Sequence, residues 1–184
     1  AGSMSKSGTV AMIGGPDVPS IRSTFKGFRA GALAARPGIK VIETFTGKEN
    51  DVAAAKLATL AAIKQGADFV IHQANAAAQG VFDACHESNI MAFGSNLDQN
   101  DNAAGCVLGS AVIRAKPAFL KLAQEVKEKK YHGRIDLMGM DSGAIEFVWS
   151  PVLLEKVPVD LRSKVNQLIT DLKAGKVVAP KDEF

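Results

Sequence analysis

Cysteine is scarce in this chain: there are two, Cys85 and Cys106, with no CxxC spacing and no neighbouring His or Cys cluster. That leaves no metal centre to be read from cysteine. The pair reads as two small buried side chains, with a disulfide or reactive thiol as the alternative, so cysteine does not fix the compartment. Aromatic residues are few, 6% of the chain, while glycine (17) and alanine are plentiful, a balance that suits close packing of helices on a sheet. No apolar run approaches the ~18 residues of a membrane-spanning helix. The run Gly14-Gly15-Pro16-Asp17 lacks the GxGxxG spacing, and no Walker pattern follows, which disfavours phosphate binding by those routes. Charge is nearly balanced, 22 Lys and Arg against 19 Asp and Glu. The dense basic cluster, Lys127, Lys129 and Lys130, closes a helical pattern and complements the helix dipole. A nucleic-acid partner would call for a broader basic stripe.

What the chain does have is a strand-turn-helix signature that recurs. Val10 to Ile13 is an apolar strand that breaks at Gly14-Gly15-Pro16 and restarts as a helix at Asp17; similar breaks follow at TFTGKEND, HQANAAAQGVF and FGSNLDQNDNA. Short β-type runs (GTVAMI, IKVIETF, ADFVIH, IMAFG, CVLGSAVI, RIDLMGM) alternate with helical patterns at Ile21 to Ala35, Asp51 to Gln65, Ala77 to Ser88 and Lys116 to Lys130. Such alternation predicts right-handed crossovers, hence an α/β fold with a parallel sheet flanked by helices, whose strand ends form one polar rim. On the second helix Val52, Ala55, Leu57, Leu60, Ala61 and Ile63 are expected to cover the sheet. After Asp141-Ser142-Gly143 comes a candidate strand, Ile145 to Trp149, then an amphipathic helix from Pro158 to Ala174.

At 184 residues the chain fits one domain. It divides into 1–7, where Ala1-Gly2-Ser3-Met4 reads as a tag remnant; 8–149, an α/β ligand-binding lobe; and 150–184, a C-terminal helix and tail that packs on the sheet, on the other lobe of a two-lobed protein or on a partner. No internal repeat is present.

IGG-D-P (Ile13 to Pro19), FKGFRAGALAARPGIKV (Phe25 to Val41), QGAD (Gln65 to Asp68), GVFDA (Gly80 to Ala84), LDQ (Leu97 to Gln99) and VLGSAVIR (Val107 to Arg114) together resemble the second half of the basic membrane lipoprotein family. These are nucleoside-binding receptors of ABC importers with a type I periplasmic-binding fold. The resemblance runs from Thr9 onward. It implies one lobe of a two-lobed receptor, with the first lobe preceding residue 8, a small-molecule ligand (a purine nucleoside or base), a permease partner, no cofactor and no catalysis. It also implies a periplasmic or membrane-anchored extracellular location for the full-length protein.

The candidate ligand-binding residues lie at the strand ends. Gly14 and Gly15 form a turn that, on the resemblance, also lines the cleft; Asp17 caps the first helix. Gln73 and Asn75 carry amides able to match a nucleobase edge, Asn75 alternatively serving as a cap. His72 reads as a half-buried structural histidine. Asn96, Asp98 and Gln99 resemble the family's acidic loop, whose carboxylate accepts from ribose hydroxyls. Here Asn96 stands where members carry Asp, and Ile113 aligns with their lysine, so the ribose contact is expected to weaken or move to Asp98. Asp141, after another predicted strand, lines the cleft or merely ends the turn. Phe82 and Trp149 read as core, with stacking on a base as the alternative. Two other functions are compatible with these residues: a half-length protein that self-associates to rebuild a cleft or acts as a sensor passing occupancy to a partner, and an α/β nucleoside-processing enzyme using His72, Asp98 or Asp141. No spacing supplies the enzyme with a nucleophile or metal.

Overall fold

The computed structural model describes residues 1–180, so that residues 181–184 of the expected C-terminal tail lie outside the described residues. In chain order the elements are β1 (Thr9–Gly14), α1 (Pro19–Ala35), β2 (Lys40–Phe45), α2 (Val52–Lys64), β3 (Phe69–Gln73), α3 (Ala78–Glu87), β4 (Met91–Asn96), β5 (Val107–Ile113), α4 (Ala115–Lys127), β6 (Ile145–Trp149) and α5 (Val159–Lys173). Among the described residues they build one six-stranded sheet in the order β2-β1-β3-β4-β5-β6. The first five strands are parallel, and β6 runs antiparallel to β5. The expected α/β class is what the chain forms, with a sheet that is mostly parallel, β6 being the antiparallel strand.

Every residue of β1 is buried, as befits a central parallel strand covered on both faces. Alternate side chains feed two cores. Ala11 and Ile13 join Val70, Ala92 and Val107 beneath α2 and α3. Val10 and Met12 join Ile71, Phe93 and Leu108 beneath α1, where Ile21 and Phe25 point inward. Strand order reverses between β1 and β3, so the crevice of this sheet opens outside the carboxyl ends of those two strands.

Three sequence expectations need correction. The buried face of α2 is Ala55, Thr59 and Ala62, while Leu57 is 67% exposed. Close approach of α3 decides this: a Cβ on Gly80 would lie 2.1 Å from the Val52 carbonyl oxygen, a contact that small residues permit and leucine does not. Second, RIDLMGM forms no strand. The far edge of β5 is taken by β6, and this segment stays out of the sheet with Ile135 68% exposed. It is tied instead to α4 by Arg134 on Glu125 (2.7 Å) and Lys121 on Asp136 (3.0 Å). Third, α1 starts at Pro19, with Val18 as its cap residue and no side-chain cap bond. Proline suits that first position because its missing N–H would have had no helical partner.

The C-terminal segment returns to the lobe's own sheet. Leu153 and Val157 are buried in the α1-side core and Leu161 packs against it. By contrast α4 has no buried residue; Phe119 is 69% exposed. Its two feet stand together at the rim, where Arg114 N–H donates to the Ala144 carbonyl at 2.8 Å. At the other pole residues 1–7 fold against the lobe: Lys6 and Ser7 N–H donate to the Asp68 carboxylate (2.6 and 2.9 Å), and Arg36 donates to the Ser5 carbonyl at 2.7 Å.

Candidate functional site

The carboxyl ends of β3 and β4 carry a chain of amides. Gln73, last residue of β3, exchanges hydrogen bonds with Asn96, last residue of β4: Gln73 Nε2 donates to Asn96 Oδ1 (3.3 Å) and Asn96 Nδ2 donates to Gln73 Oε1 (3.2 Å). Asn96 Nδ2 also lies 3.4 Å from Asn75 Oδ1, and Asn75 Nδ2 donates to Glu49 Oε2 at 2.8 Å. At the other end Gln73 Nε2 donates to Thr24 Oγ1 on α1 (3.1 Å). Both asparagines have left-handed backbone, φ 46° at Asn75 and 69° at Asn96, which asparagine tolerates better than other non-glycine residues. These twists turn the two side chains toward one another across the strand ends. The outcome is a polar surface of matched donors and acceptors whose one carboxylate, Glu49, is held by an amide.

Beneath the amides lies a second polar layer. His72 is 2% exposed, fully buried rather than half-buried as expected. Its Nδ1 accepts from Ala74 N–H (3.3 Å), which makes Nε2 the donor to Gln99 Oε1 at 2.8 Å. The same Gln99 oxygen accepts the Ser95 N–H at 2.9 Å, and the Ser95 hydroxyl donates to the His72 carbonyl. Gln99 N–H donates to Ser110 Oγ on β5 (3.1 Å), whose hydroxyl donates to Asn100 Oδ1 (3.0 Å). Burial pulls the His72 pKa down to about 4, the Gln99 hydrogen bond opposing only in part. A histidine so held is neutral at physiological pH and out of reach of any molecule at the rim.

The structure thus brings some expected residues together and sends others elsewhere. Gln73, Asn75 and Asn96 form the amide chain, and Asn75 does not cap a helix with its side chain. Gly14 and Gly15 are packing glycines: a Cβ on Gly14 would sit 2.7 Å from the Phe45 ring, and one on Gly15 would crowd Glu49 at 3.2 Å. Their polar atoms are engaged internally, the Gly15 N–H by the Gln73 carbonyl (2.9 Å) and the Gly14 carbonyl by Thr46 N–H (2.9 Å). Asp17 does not cap α1; it grips Arg22 through two bonds (2.5 and 2.7 Å), and that hydrogen bond holds its carboxyl below the usual range. Asp98 is exposed and accepts the Asn100 N–H at 3.1 Å in a local turn. Gln99 faces inward. Asp141 follows no strand; it lies exposed in the turn leading to β6, at the rim but on the far side of β5. Phe82 is core, set edge-on to His72 at 5.1 Å. Cys85 and Cys106 are free and buried, burial pushing the Cys106 thiol up to about 11 and Cys85 further. Thr24 and Glu49 were not foreseen. Glu49 lies in one of the recurring breaks, TFTGKEND; Thr24, inside a helix pattern, gives no signal.

A groove of about 390 Å³ lies beside the rim between α1 and β2, lined by Asp17, Arg22, Lys26, Arg29, Glu43 and Phe45. Its charges are paired along the wall, Arg29 with Glu43 at 2.6 Å and Arg22 with Asp17. Among the described residues no group of His, Cys, Asp and Glu is placed to hold a metal ion, and no helix is long and apolar enough to cross a membrane.

Comparison with known proteins agrees with this fold. The family model for ABC transporter substrate-binding proteins, PnrA-like, matches residues 1–176. Basic membrane protein A2 of Borrelia garinii subsp. bavariensis is 25% identical over 186 aligned residues, covering 98% of this chain but 54% of that relative. Basic membrane protein A of Borreliella afzelii is 22% identical, with 98% and 56% covered. The chain therefore spans about half the length of the curated relatives it matches. Among solved structures, an ABC transporter solute-binding protein from Conexibacter woesei superposes with a TM-score of 0.72 at 24% identity, covering 100% of this chain and 61% of that one. A solute-binding protein from Aeropyrum pernix K1 gives a TM-score of 0.73 at 16% identity, with 95% and 58% covered. These likenesses place the fold among periplasmic-binding-protein lobes.

Proposed function

Because this chain belongs to the PnrA-like family of ABC transporter substrate-binding proteins, we propose that it forms one jaw of a two-lobed receptor that captures an uncharged polar molecule, a purine base or nucleoside, for import without chemically changing it. The observation that carries this reading is the amide chain Gln73–Asn96–Asn75. Amides bonded to one another at 3.2–3.4 Å can exchange those bonds for the donor-acceptor edge of a base, because each side chain offers both a donor and an acceptor. With Glu49 held by Asn75 and Ile113 in place of a cation, the rim favours a neutral ligand over an anionic one. Asp98, exposed in the loop after β4, is the carboxylate offered to a ribose.

The α4 arm supports the companion lobe. It leaves and re-enters at the rim and carries Phe119, Leu120 and Val126 exposed, so a second lobe closing over the rim would cover it. Closure of two lobes around a ligand is the motion such receptors use. A permease partner, and anchoring on the outer face of a membrane, follow from the same reading of the full-length protein. Self-association of two copies is the competing use of the same apolar arm.

Thermal denaturation of the full-length receptor with adenosine, guanosine, inosine, hypoxanthine and adenine tests this. At least one should raise the melting temperature, and Gln73→Ala or Asn96→Ala should reduce that rise. A receptor that responds to none of the panel would sink the proposal. Conversion of a nucleoside to base and sugar would replace it with the enzyme.

A further inference from the structure

Gln99 was expected to touch ligand, and its geometry gives it a different task. Its Oε1 receives two N–H groups at once, Nε2 of buried His72 and the backbone N–H of Ser95. Ser95 and Gln99 bracket residues 96–98, so a side chain closes this loop where a backbone bond would otherwise do so. Within it, Leu97 N–H donates to the Ser95 carbonyl at 2.8 Å. From below, the Ser95 hydroxyl on the His72 carbonyl joins β4 to β3, and Ser110 on the Gln99 N–H joins the loop to β5. The packing leaves no slack: a Cβ on Gly94 would lie 2.4 Å from Ser110 Oγ and 3.0 Å from Gln99 Cβ. Asn96, at φ 69°, sits at the loop's start in the left-handed conformation, uncommon for a residue with a side chain though asparagine enters it most readily.

We propose that His72 and Gln99 act as a positioning pair: by clamping the 95–99 loop from inside, they hold Asn96 in the left-handed conformation that aims its amide at Gln73 and Asn75. The ligand-recognition part of this role rests on the rim reading above; the clamp itself does not. The paired acceptor suits the task, since one oxygen fixes both the histidine tautomer and the loop, and neither donor has water available in its place.

The test needs no ligand, so that its failure is distinct from failure of the rim reading. Gln99→Leu keeps the size of the side chain and removes the acceptor; Gln99→Asn keeps the amide but falls one methylene short, and serves should the leucine variant fold poorly. Gln99→Glu retains an acceptor for both donors. By ¹H–¹⁵N spectroscopy at pH 7.5, the first two should shift the Asn96 side-chain amide signals and speed Ser95 N–H exchange at least tenfold while β1 amides stay protected; Gln99→Glu should restore both. Unchanged Asn96 signals in Gln99→Leu or Gln99→Asn, even with a lower melting temperature, would reduce Gln99 to packing and overturn the proposal, as would a Gln99→Glu variant that fails to rescue.

Discussion

At the scale of single residues, His72 makes the sharpest prediction. A histidine with a folded pKa of about 4 against an ordinary value of 6.5 binds its proton more tightly in the unfolded chain. Its contribution to stability is therefore full above pH 6.5 and is lost as the pH falls from 6.5 through 4. At about 1.4 kcal/mol per pH unit of separation between the two pKa values, the loss reaches about 3 kcal/mol. Urea denaturation at pH 7.5, 5.5 and 4.5 measures it, and in His72→Asn the fall across this window should shrink. Asn96 makes a smaller prediction: truncation in Asn96→Ala leaves Gln73 and Asn75 each short of a partner on a half-exposed surface. It should lower stability by about 1 kcal/mol, whereas Asp98→Ala, removing one local turn bond, should be nearly neutral.

Among elements, the α2–α3 contact shows how small residues set the packing. Both helices cover one face of the sheet, and their backbones approach where Gly80 faces the Val52 carbonyl. Gly80→Ala should force them apart and destabilise by about 1–3 kcal/mol, the range of overpacked cores. At about 2–4 °C per kcal/mol for a chain of this size, calorimetry would show it as a clear fall in melting temperature. Periodicity misplaced the buried face of α2 because Val52–Lys64 carries apolar residues nearly all round. With alanine on every side, the neighbour chooses the face. The RIDLMGM segment misled for the complementary reason: its composition suits a strand, but β6 takes the edge of β5, and ion pairs through Arg134 and Asp136 hold the segment on α4 instead.

The whole molecule divides into a packed lobe and an exposed arm. In the lobe, Phe25 is 1% exposed, so Phe25→Ala should cost about 3–5 kcal/mol. In the arm, Phe119→Ser combined with Leu120→Ser should change stability by no more than about 0.5 kcal/mol per site. If two copies instead self-associate through the arm, the competing use named above, the isolated chain should show concentration-dependent association in analytical ultracentrifugation that the same double change abolishes. Persistent association would place the contact elsewhere.

Local patterns determined a good deal by themselves: strand-turn-helix alternation dictated the parallel α/β sheet, because crossovers of that length admit one handedness, and the polar breaks at the strand ends located the rim. Gln73, Asn75 and Asn96 stood out as candidates because they end or closely follow strands in such a sheet. What the sequence could not reveal was which polar side chains turn outward. Gln99 and Asn96 lie three positions apart in one loop with similar amides, yet one faces a buried histidine and the other the rim. That choice depends on a left-handed residue, on a Cβ missing at Gly94 and on a hydroxyl from β5, all contacts between segments distant along the chain. Only their convergence in the folded sheet decides it.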